Sequence, residues 1–143
     1  MKIGKDISNF STYSCQPKEK EELQEIINKR MSKEGVNCNL NDIDTSLIDD
    51  MSYLFVDSVF NGNISCWNVS NVKNMAGMFS FSCFNGDISK WNVSSVKYMS
   101  YIFVNSVFNQ DISNWNIDKN CNTTMMFSKC PIKEEYKPKL LRQ

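Results

Sequence analysis

The stretch FNQDISNWNI, at residues 108–117, decides the fold because nearly the same sequence motif occurs twice before it. FNGDISKWNV stands at residues 84–93 and FNGNISCWNV at residues 60–69, so the motif recurs every 24 residues. A unit this short cannot bury its own apolar face, and its copies must therefore stack against one another. The sequence thus predicts a repeat solenoid rather than a globular domain with a single central core.

Apolar residues recur in the same register, and Leu40 marks the start of a degenerate first copy. The register fades after Phe127, and Pro131 breaks the pattern. We therefore expect four turns over residues 40–135. The residues predicted to form the repeat core are Ile64, Trp67, Val69, Met75, Phe79, Ile88, Trp91, Val93, Met99, Phe103, Ile112, Trp115, Ile117 and Phe127.

The spacing of apolar residues within one unit predicts its local structure. Around Trp67 and Val69 apolar and polar residues alternate, which favours a short strand with these two side chains pointing inward. The spacing then changes to three, as from Val72 to Met75 to Met78, which favours a helical or 3-10 return segment. The predicted fold is leucine-rich-repeat-like, with short parallel strands alternating with these return segments.

The repeated motif, with NVSNVKNMAGMF at residues 68–79 and NVSSVKYMSYIF at residues 92–103, resembles the BspA-like leucine-rich repeat family. The family's consensus is F-N-x-D-I-S-x-W-x-V-S-x-V-x-x-M-x-x-M-F, and the resemblance covers residues 40–130. It implies a solenoid and a role in adhesion, in binding of host or matrix proteins, or in other protein recognition at bacterial and protist surfaces. It implies no catalytic residue.

The segments that flank the repeats are predicted to be caps, because a stack of repeats needs a cap at both ends. A helix is predicted at about residues 17–34 within an N-terminal region, residues 1–39, because Pro17 suits its start and Gly35 its end. Its apolar stripe would cover the first repeat, although a docking helix for a partner is the alternative. Residues 136–143 would be a C-terminal cap or tail. The whole chain would form a single domain.

Composition argues against several classes of partner. Lys plus Arg and Asp plus Glu both number 16, so no net charge favours nucleic acid or an anionic membrane surface. The chain shows neither a signal peptide nor an apolar run long enough to span a bilayer. The sequence by itself therefore predicts a cytoplasmic protein without membrane insertion, whereas the family resemblance implies a cell-surface or secreted one.

The residue types that carry most protein chemistry are sparse or scattered. The chain has no histidine, and its six cysteines include no CxxC pair, so we expect reduced, mostly buried thiols and no metal or other cofactor. A cysteine nucleophile would lack its usual base, and no carboxylate pair shows signs of a cleft. We therefore predict a protein that is not an enzyme.

A partner protein, of host or matrix origin if the chain is surface-exposed, is expected to bind the polar side of the predicted strands. Specificity would come from positions that vary between copies, while stacked Asn68, Asn92 and Asn116 could instead form a purely structural amide ladder. The variable positions are Cys66, Lys90 and Asn114 on the predicted strands and Asp57, Phe81 and Asn105 on the return segments. An intracellular scaffold is the alternative function, and we expect a monomer. The predicted binding residues are Asp42, Asp44, Cys66, Asn68, Lys90, Asn92, Asn114 and Asn116.

Overall fold

The computed structural model describes residues 13–142 of the protein. Helix α1 spans Lys20–Glu34, and two short 3-10 helices span Glu134–Tyr136 and Lys139–Leu141. Between α1 and the first 3-10 helix, the chain runs through successive turns that contact their counterparts in neighbouring repeats. The 24-residue register of the sequence is therefore also the register of the contacts.

The predicted fold class is wrong. Within residues 13–142 there is no β-strand and no sheet, only isolated parallel bridges, so the molecule is not a leucine-rich-repeat-like solenoid of strands alternating with helical return segments. The bridged pairs are Cys15 with Ile43, Asn39 with Asn63, Asp50 with Asn74, Asn74 with Tyr98, and Tyr98 with Asn122.

The strands are missing because each repeat turns too often for an extended segment to develop. The Trp67 N–H donates to the Ile64 carbonyl at 3.1 Å, which closes a tight turn where the strand was predicted. The Val72 N–H likewise donates to the Val69 carbonyl at 3.0 Å. The spacing of three between Val72, Met75 and Met78 therefore marks turns rather than a helical return segment.

Neighbouring repeats are joined along four segments that we call rungs, residues 51–57, 75–81, 99–105 and 123–129. The Met51 N–H donates to the Asn74 carbonyl at 2.8 Å, and the Tyr53 N–H donates to the Ala76 carbonyl at 2.9 Å. Phe55 and Asp57 repeat the pattern, as do the corresponding N–H groups of the second and third rungs. The ladder thus runs in one direction, from the N–H groups of one rung to carbonyls of the next repeat.

Each rung contains two consecutive turns whose third residue has a left-handed backbone. Tyr53, for example, has φ 58° and is the third residue of the turn closed by the Leu54 N–H and the Met51 carbonyl. Turns of this kind require a positive φ at that position, which costs a residue other than glycine about 1–2 kcal/mol. The eight residues are Tyr53, Asp57, Gly77, Phe81, Tyr101, Asn105, Met125 and Lys129.

The interior of the stack is built from aligned aromatic columns. Each tryptophan indole donates to a carbonyl of the preceding repeat, as Trp91 Nε1 does to Ile64 at 3.0 Å. Phenylalanine rings stack at centroid distances of 5.6 Å between Phe55 and Phe79 and 5.7 Å between Phe79 and Phe103. Of the residues predicted to form the repeat core, all are buried except Phe127, which is half-buried.

Helix α1 covers the N-terminal end of the stack. Its Leu23 and Ile27 side chains are fully buried in the common core, and Lys20 Nζ donates to the Ser52 carbonyl at 3.2 Å. The Arg30 guanidinium donates to the Asn39 carbonyl at 2.8 Å. Because the apolar side of α1 is already buried, it is a cap of the first repeat rather than a docking helix.

The segment after Pro131 packs against the third and fourth repeats. The Ile112 N–H donates to the Tyr136 carbonyl at 3.0 Å, and the Lys133 N–H donates to Asn109 Oδ1 at 2.9 Å. Ile132 is buried. These contacts hold the C-terminal residues to the stack.

Gly62 provides a test of how closely the repeats approach one another. A Cβ atom added there would lie 1.9 Å from the Cys38 carbonyl oxygen, whereas at Gly86 the closest atom would be a ring carbon of Phe84 at 2.9 Å. We expect Gly62→Ala to lower the free energy of unfolding by about 1–3 kcal/mol, since a backbone must shift. Gly86→Ala, in a column that holds Gln110 in the next repeat, is the matched control and should lower it less. Equal losses in urea titrations would contradict this account.

Candidate protein-binding surfaces

The residues predicted to bind a partner divide into two groups in the structure. Six of them are exposed and occupy two adjacent columns of the stack, whereas Asp42 and Asp44 are half-buried. Trp67 and Val69, which directly follow the exposed Cys66 and Asn68, are buried. Exposed and buried residues therefore alternate here although no strand forms. We call the exposed group the polar face; it consists of Cys66, Asn68, Lys90, Asn92, Asn114 and Asn116.

Asp42 and Asp44 hold the N-terminal part of the chain onto the first repeat. Arg30 Nη1 lies 3.0 Å from Asp42 Oδ2, and the Ser14 hydroxyl donates to the same carboxylate. The hydrogen bond from Arg30 lowers the pKa of Asp42. Gln16 Nε2 donates to Asp44 Oδ2 at 2.8 Å. Both carboxylates are therefore engaged within the chain and are poor candidates for contact with a partner.

Two asparagines of the polar face, Asn68 and Asn92, accept hydrogen bonds within the turns of their own repeats. Asn68 Oδ1 accepts from the Ser70 N–H at 3.0 Å, and Asn92 Oδ1 accepts from the Ser94 N–H at 3.1 Å. Such side-chain acceptors stabilise a turn at the expense of extended structure. The predicted amide ladder between repeats does not form in this column.

An asparagine ladder between repeats does exist, but in the column of the FNG and FNQ motifs. Asn61 Oδ1 accepts from the Asn85 N–H at 2.8 Å, and Asn85 Oδ1 accepts from the Asn109 N–H at 2.8 Å. Asn109 Oδ1 accepts from the Lys133 N–H at the end of the series. The repetition of these asparagines is therefore explained by the joining of repeats.

A second exposed surface lies on the outward side of the rungs and their following residues, and it carries large apolar side chains among polar ones such as Asp57 and Asn105. Tyr53 is 50% exposed and Phe81 55%, although both belong to repeats whose other aromatic residues are mostly buried. The Tyr53 ring lies over Gly77, where an added Cβ would come within 2.1 Å of Tyr53 Cε1. We call this surface the turn face; its residues are Tyr53, Val59, Phe81, Tyr101, Val107 and Met125.

The left-handed turns explain why the turn face is exposed. Four of its six residues, Tyr53, Phe81, Tyr101 and Met125, occupy the positive-φ positions of the rungs. The residue that follows each of these four positions is buried; these residues are Leu54, Ser82, Ile102 and Met126. The turn geometry therefore places the side chain of each third residue in solvent, and the ladder fixes its position.

A shallow pocket of about 520 Å³ is lined by basic and polar residues of successive repeats. Lys73 and Lys97, which are equivalent residues of successive repeats, line it together with Tyr98, three residues before Tyr101. Asp118 lines the pocket as well. Two ammonium groups beside serine hydroxyls at Ser94 and Ser95 can pair with a carboxylate of a partner.

Prediction from the sequence identified only Phe81 of the turn face, as a position that varies between copies. The available signal was variation: where core columns keep one residue type, the column of Tyr53 contains Gly77, Tyr101 and Met125 at equivalent positions. A column that changes from tyrosine to glycine to methionine does not fill one defined core site. Aromatic residues at such positions are therefore candidates for a surface.

The six cysteines are unpaired in the structure. Only Cys38 is buried, so the expectation of mostly buried thiols is wrong, and desolvation raises the pKa of the Cys38 thiol. Cys66 and Cys83 are exposed. Among residues 13–142, no group of three or more histidine, cysteine or acidic side chains is placed to hold a metal ion.

A helix must be long and predominantly apolar to cross a bilayer. No helix in residues 13–142 combines the length and the apolar character needed to do so. Helix α1 contains 15 residues, whereas a span needs about 20 that are predominantly apolar.

Comparison with known proteins identifies one family. No curated protein and no solved structure matches the chain. A family model described as a Mycoplasma protein of unknown function, DUF285, matches residues 22–137, a range that includes most of α1, every rung and the first of the 3-10 helices. The chain therefore belongs to the DUF285 family.

Proposed function

We propose that this protein is a non-enzymatic protein-binding module of the BspA-like adhesin or surface-recognition type, and that the turn face contacts its partner. The exposure of Tyr53, Phe81 and Tyr101 on adjoining rungs is the observation that carries the proposal. The resemblance of the repeats to the BspA-like family supports the class of function.

The composition of the turn face supports protein recognition. Tyrosine, phenylalanine and methionine are enriched in the centres of protein interfaces, where large side chains bury much apolar area with few rotatable bonds. Contiguous apolar patches on a protein surface commonly mark interaction sites. Tyr53, Tyr101 and Met125 stand in one column of the stack, so a partner can contact them together.

The backbone of the turn face is held by hydrogen bonds between repeats, which also supports the proposal. The Tyr53 and Tyr101 N–H groups both donate to the next repeat, at 2.9 Å in each case. A surface whose backbone is held in this way loses little conformational freedom when a partner binds, which favours affinity. The basic pocket at Lys73 and Lys97 supplies charges that orient an acidic partner.

The polar face is the weaker candidate surface. The side-chain oxygens of Asn68 and Asn92 are occupied by Ser70 and Ser94 of the same repeats. Lys90 and Asn114 are exposed and differ between copies, which is the property expected of a specificity position. We therefore assign the polar face a secondary role beside the turn face.

An intracellular scaffold is the second candidate function. The unpaired state of all six cysteines, with Cys66 and Cys83 exposed, favours it because reduced thiols persist in a reducing compartment. On this alternative the same turn face would bind a protein of the cell itself rather than a host or matrix protein.

Site-specific photo-cross-linking in living cells tests the proposal. A benzophenone amino acid replaces Tyr101 on the turn face, or Lys90 on the polar face as the matched control. We expect a discrete cross-linked protein from position 101 that is lost when Tyr53→Ser is added, and weak or no product from position 90. The identity of that protein separates a surface partner from an intracellular one. A product from position 90 alone would contradict the turn face as the contact surface.

A further inference from the structure

We propose that the fourth rung, residues 123–129, is a second binding site, which receives an acidic segment of a partner protein, folded in the same succession of turns as a rung, through backbone hydrogen bonds. The proposal does not rest on the proposed function, since it concerns the backbone edge at the C-terminal end of the stack rather than the side chains of the turn face.

Four backbone N–H groups of the fourth rung differ from the equivalent groups of the third rung in having no acceptor in the described part of the chain. In the third rung the N–H groups of Met99, Tyr101, Phe103 and Asn105 donate to Asn122, Thr124, Met126 and Ser128 at 2.8 to 3.1 Å. The equivalent donors one repeat later are Thr123, Met125, Phe127 and Lys129. Within residues 13–142 none of these four N–H groups has an acceptor.

The direction of the ladder fixes what the occupant must provide. In every rung the carbonyls of the first, third and fifth residues accept within the rung's own turns, as the Thr123 carbonyl does from the Met126 N–H. The fourth rung therefore presents donors in a row, spaced two residues apart. A segment that follows the same succession of turns as a rung offers alternate carbonyls at the same spacing, as residues 74–81 do for the first rung.

A second copy of this chain does not meet this requirement. Two fourth rungs facing one another would oppose donors to donors. Stacking in the head-to-tail sense would need the carbonyls of the first rung, but Lys20 of α1 already donates to the Ser52 carbonyl, and Leu23 and Ile27 cover the core there. A second copy of this chain is therefore not the occupant.

Charge near the edge indicates an acidic occupant. From Asp118 to Arg142 the chain has six basic residues and three acidic ones. Lys129 is exposed on the rung itself and Lys119 is exposed close to it in sequence. Acidic side chains flanking the added segment can pair with these lysines.

The aromatic column ends at this edge, where the last ring has Lys137 over it in place of a further phenylalanine. Phe79 and Phe103 have a ring stacked on each side, but Phe127 stacks only on Phe103, at 5.9 Å. Lys137 Nζ lies 5.3 Å from the centre of the Phe127 ring. An apolar side chain of the added segment can pack beside this ring, which is only half-buried.

Amide hydrogen exchange followed by NMR on the full chain tests the proposal. In the free protein, the N–H groups of residues 123, 125, 127 and 129 should exchange fast, and those of residues 99, 101, 103 and 105 slowly. The probe is a synthetic peptide with the sequence of residues 74–81 between pairs of aspartates, since that segment supplies carbonyls to the first rung. Saturating peptide should slow the four fast amides by roughly tenfold or more.

Two variants make the test specific to the edge. Thr123→Pro removes one donor that has no acceptor in the fold and places a ring at the edge, so it should weaken peptide binding about tenfold. The slow exchange of the third rung reports whether this variant folds. Lys129→Glu keeps every N–H group and should weaken binding of the acidic peptide while restoring it for a peptide flanked by lysines.

Three outcomes would overturn the proposal. Slow exchange of the four amides in the free monomer would show that the edge is already covered. Protection that rises with protein concentration alone would assign the edge to a second copy of the chain. A peptide that leaves the four amides fast, at concentrations up to its solubility, would show that the edge does not accept a further segment.

Discussion

Replacing Trp91 by alanine is expected to lower the free energy of unfolding by about 3–5 kcal/mol, the range for large aromatic residues truncated in a core. Trp91 is 4% exposed, its ring stacks on Trp115 at 6.4 Å, and its indole N–H donates to the Ile64 carbonyl. The variant loses apolar burial and the indole hydrogen bond, which leaves the Trp67 N–H as the donor to the Ile64 carbonyl. Urea denaturation followed by circular dichroism measures the loss.

Trp91→Phe separates the two contributions at the same position. It keeps an aromatic ring in the column but removes the indole N–H, so we expect a loss of about 0.5–1.5 kcal/mol from the hydrogen bond, with a further loss from the smaller ring. A loss below about 1 kcal/mol for Trp91→Ala would contradict the buried position of this side chain.

Replacing Phe79 by alanine is expected to have a similarly large effect, about 3–5 kcal/mol. The Phe79 ring is fully buried and stacks on Phe55 at 5.6 Å and on Phe103 at 5.7 Å. Its loss leaves a cavity in the middle of the column, next to two rings that cannot close the gap without moving the rungs.

Phe127→Ala is the matched control for this variant. Phe127 is the equivalent residue two repeats later, but it is half-buried and stacks on one phenylalanine only. We expect its replacement to cost distinctly less than that of Phe79 in the same denaturation experiment. A cost for Phe127→Ala that equals or exceeds the cost for Phe79→Ala would contradict the description of the fourth rung as an open edge.

The sequence allowed the register of the fold to be predicted but not its local conformation. The 24-residue spacing of Trp67, Trp91 and Trp115 predicts which side chains meet, because identical residues in stacked copies occupy equivalent sites. Alternation around Trp67 and Val69 is produced by a turn as readily as by a strand, and this ambiguity led to the wrong fold class. The asparagines and serines beside them were the signal for turns.

The left-handed positions of the rungs could not be predicted from the residue types. Tyr53, Phe81 and Met125 are not residues that favour a positive φ, and the ladder of hydrogen bonds imposes it on them. Glycine marks the column only once, at Gly77. Because the turn face depends on these positions, its exposure followed from tertiary structure and not from local preference.

The surroundings of the predicted binding residues Asp42 and Asp44 also depend on tertiary structure. The sequence placed Asp42 and Asp44 on an open face, since both are acidic and lie next to apolar positions. Contacts with Arg30 and Gln16, residues distant in sequence, engage both carboxylates instead. Exposure of Cys66, Lys90 and Asn114 agrees with their placement on a surface; their contact with a partner stays a prediction.

The one-directional ladder between rungs positions both the turn face and the open edge, and scalar couplings across hydrogen bonds test it most directly. A long-range HNCO spectrum of the labelled protein should connect the nitrogen of Met51 with the carbonyl carbon of Asn74, and that of Met75 with Tyr98. The account predicts this offset of 23 residues through the first three rungs. Couplings that instead join residues 67–69 to residues 91–93 would contradict it, because the repeats would then be paired through strands at the tryptophans.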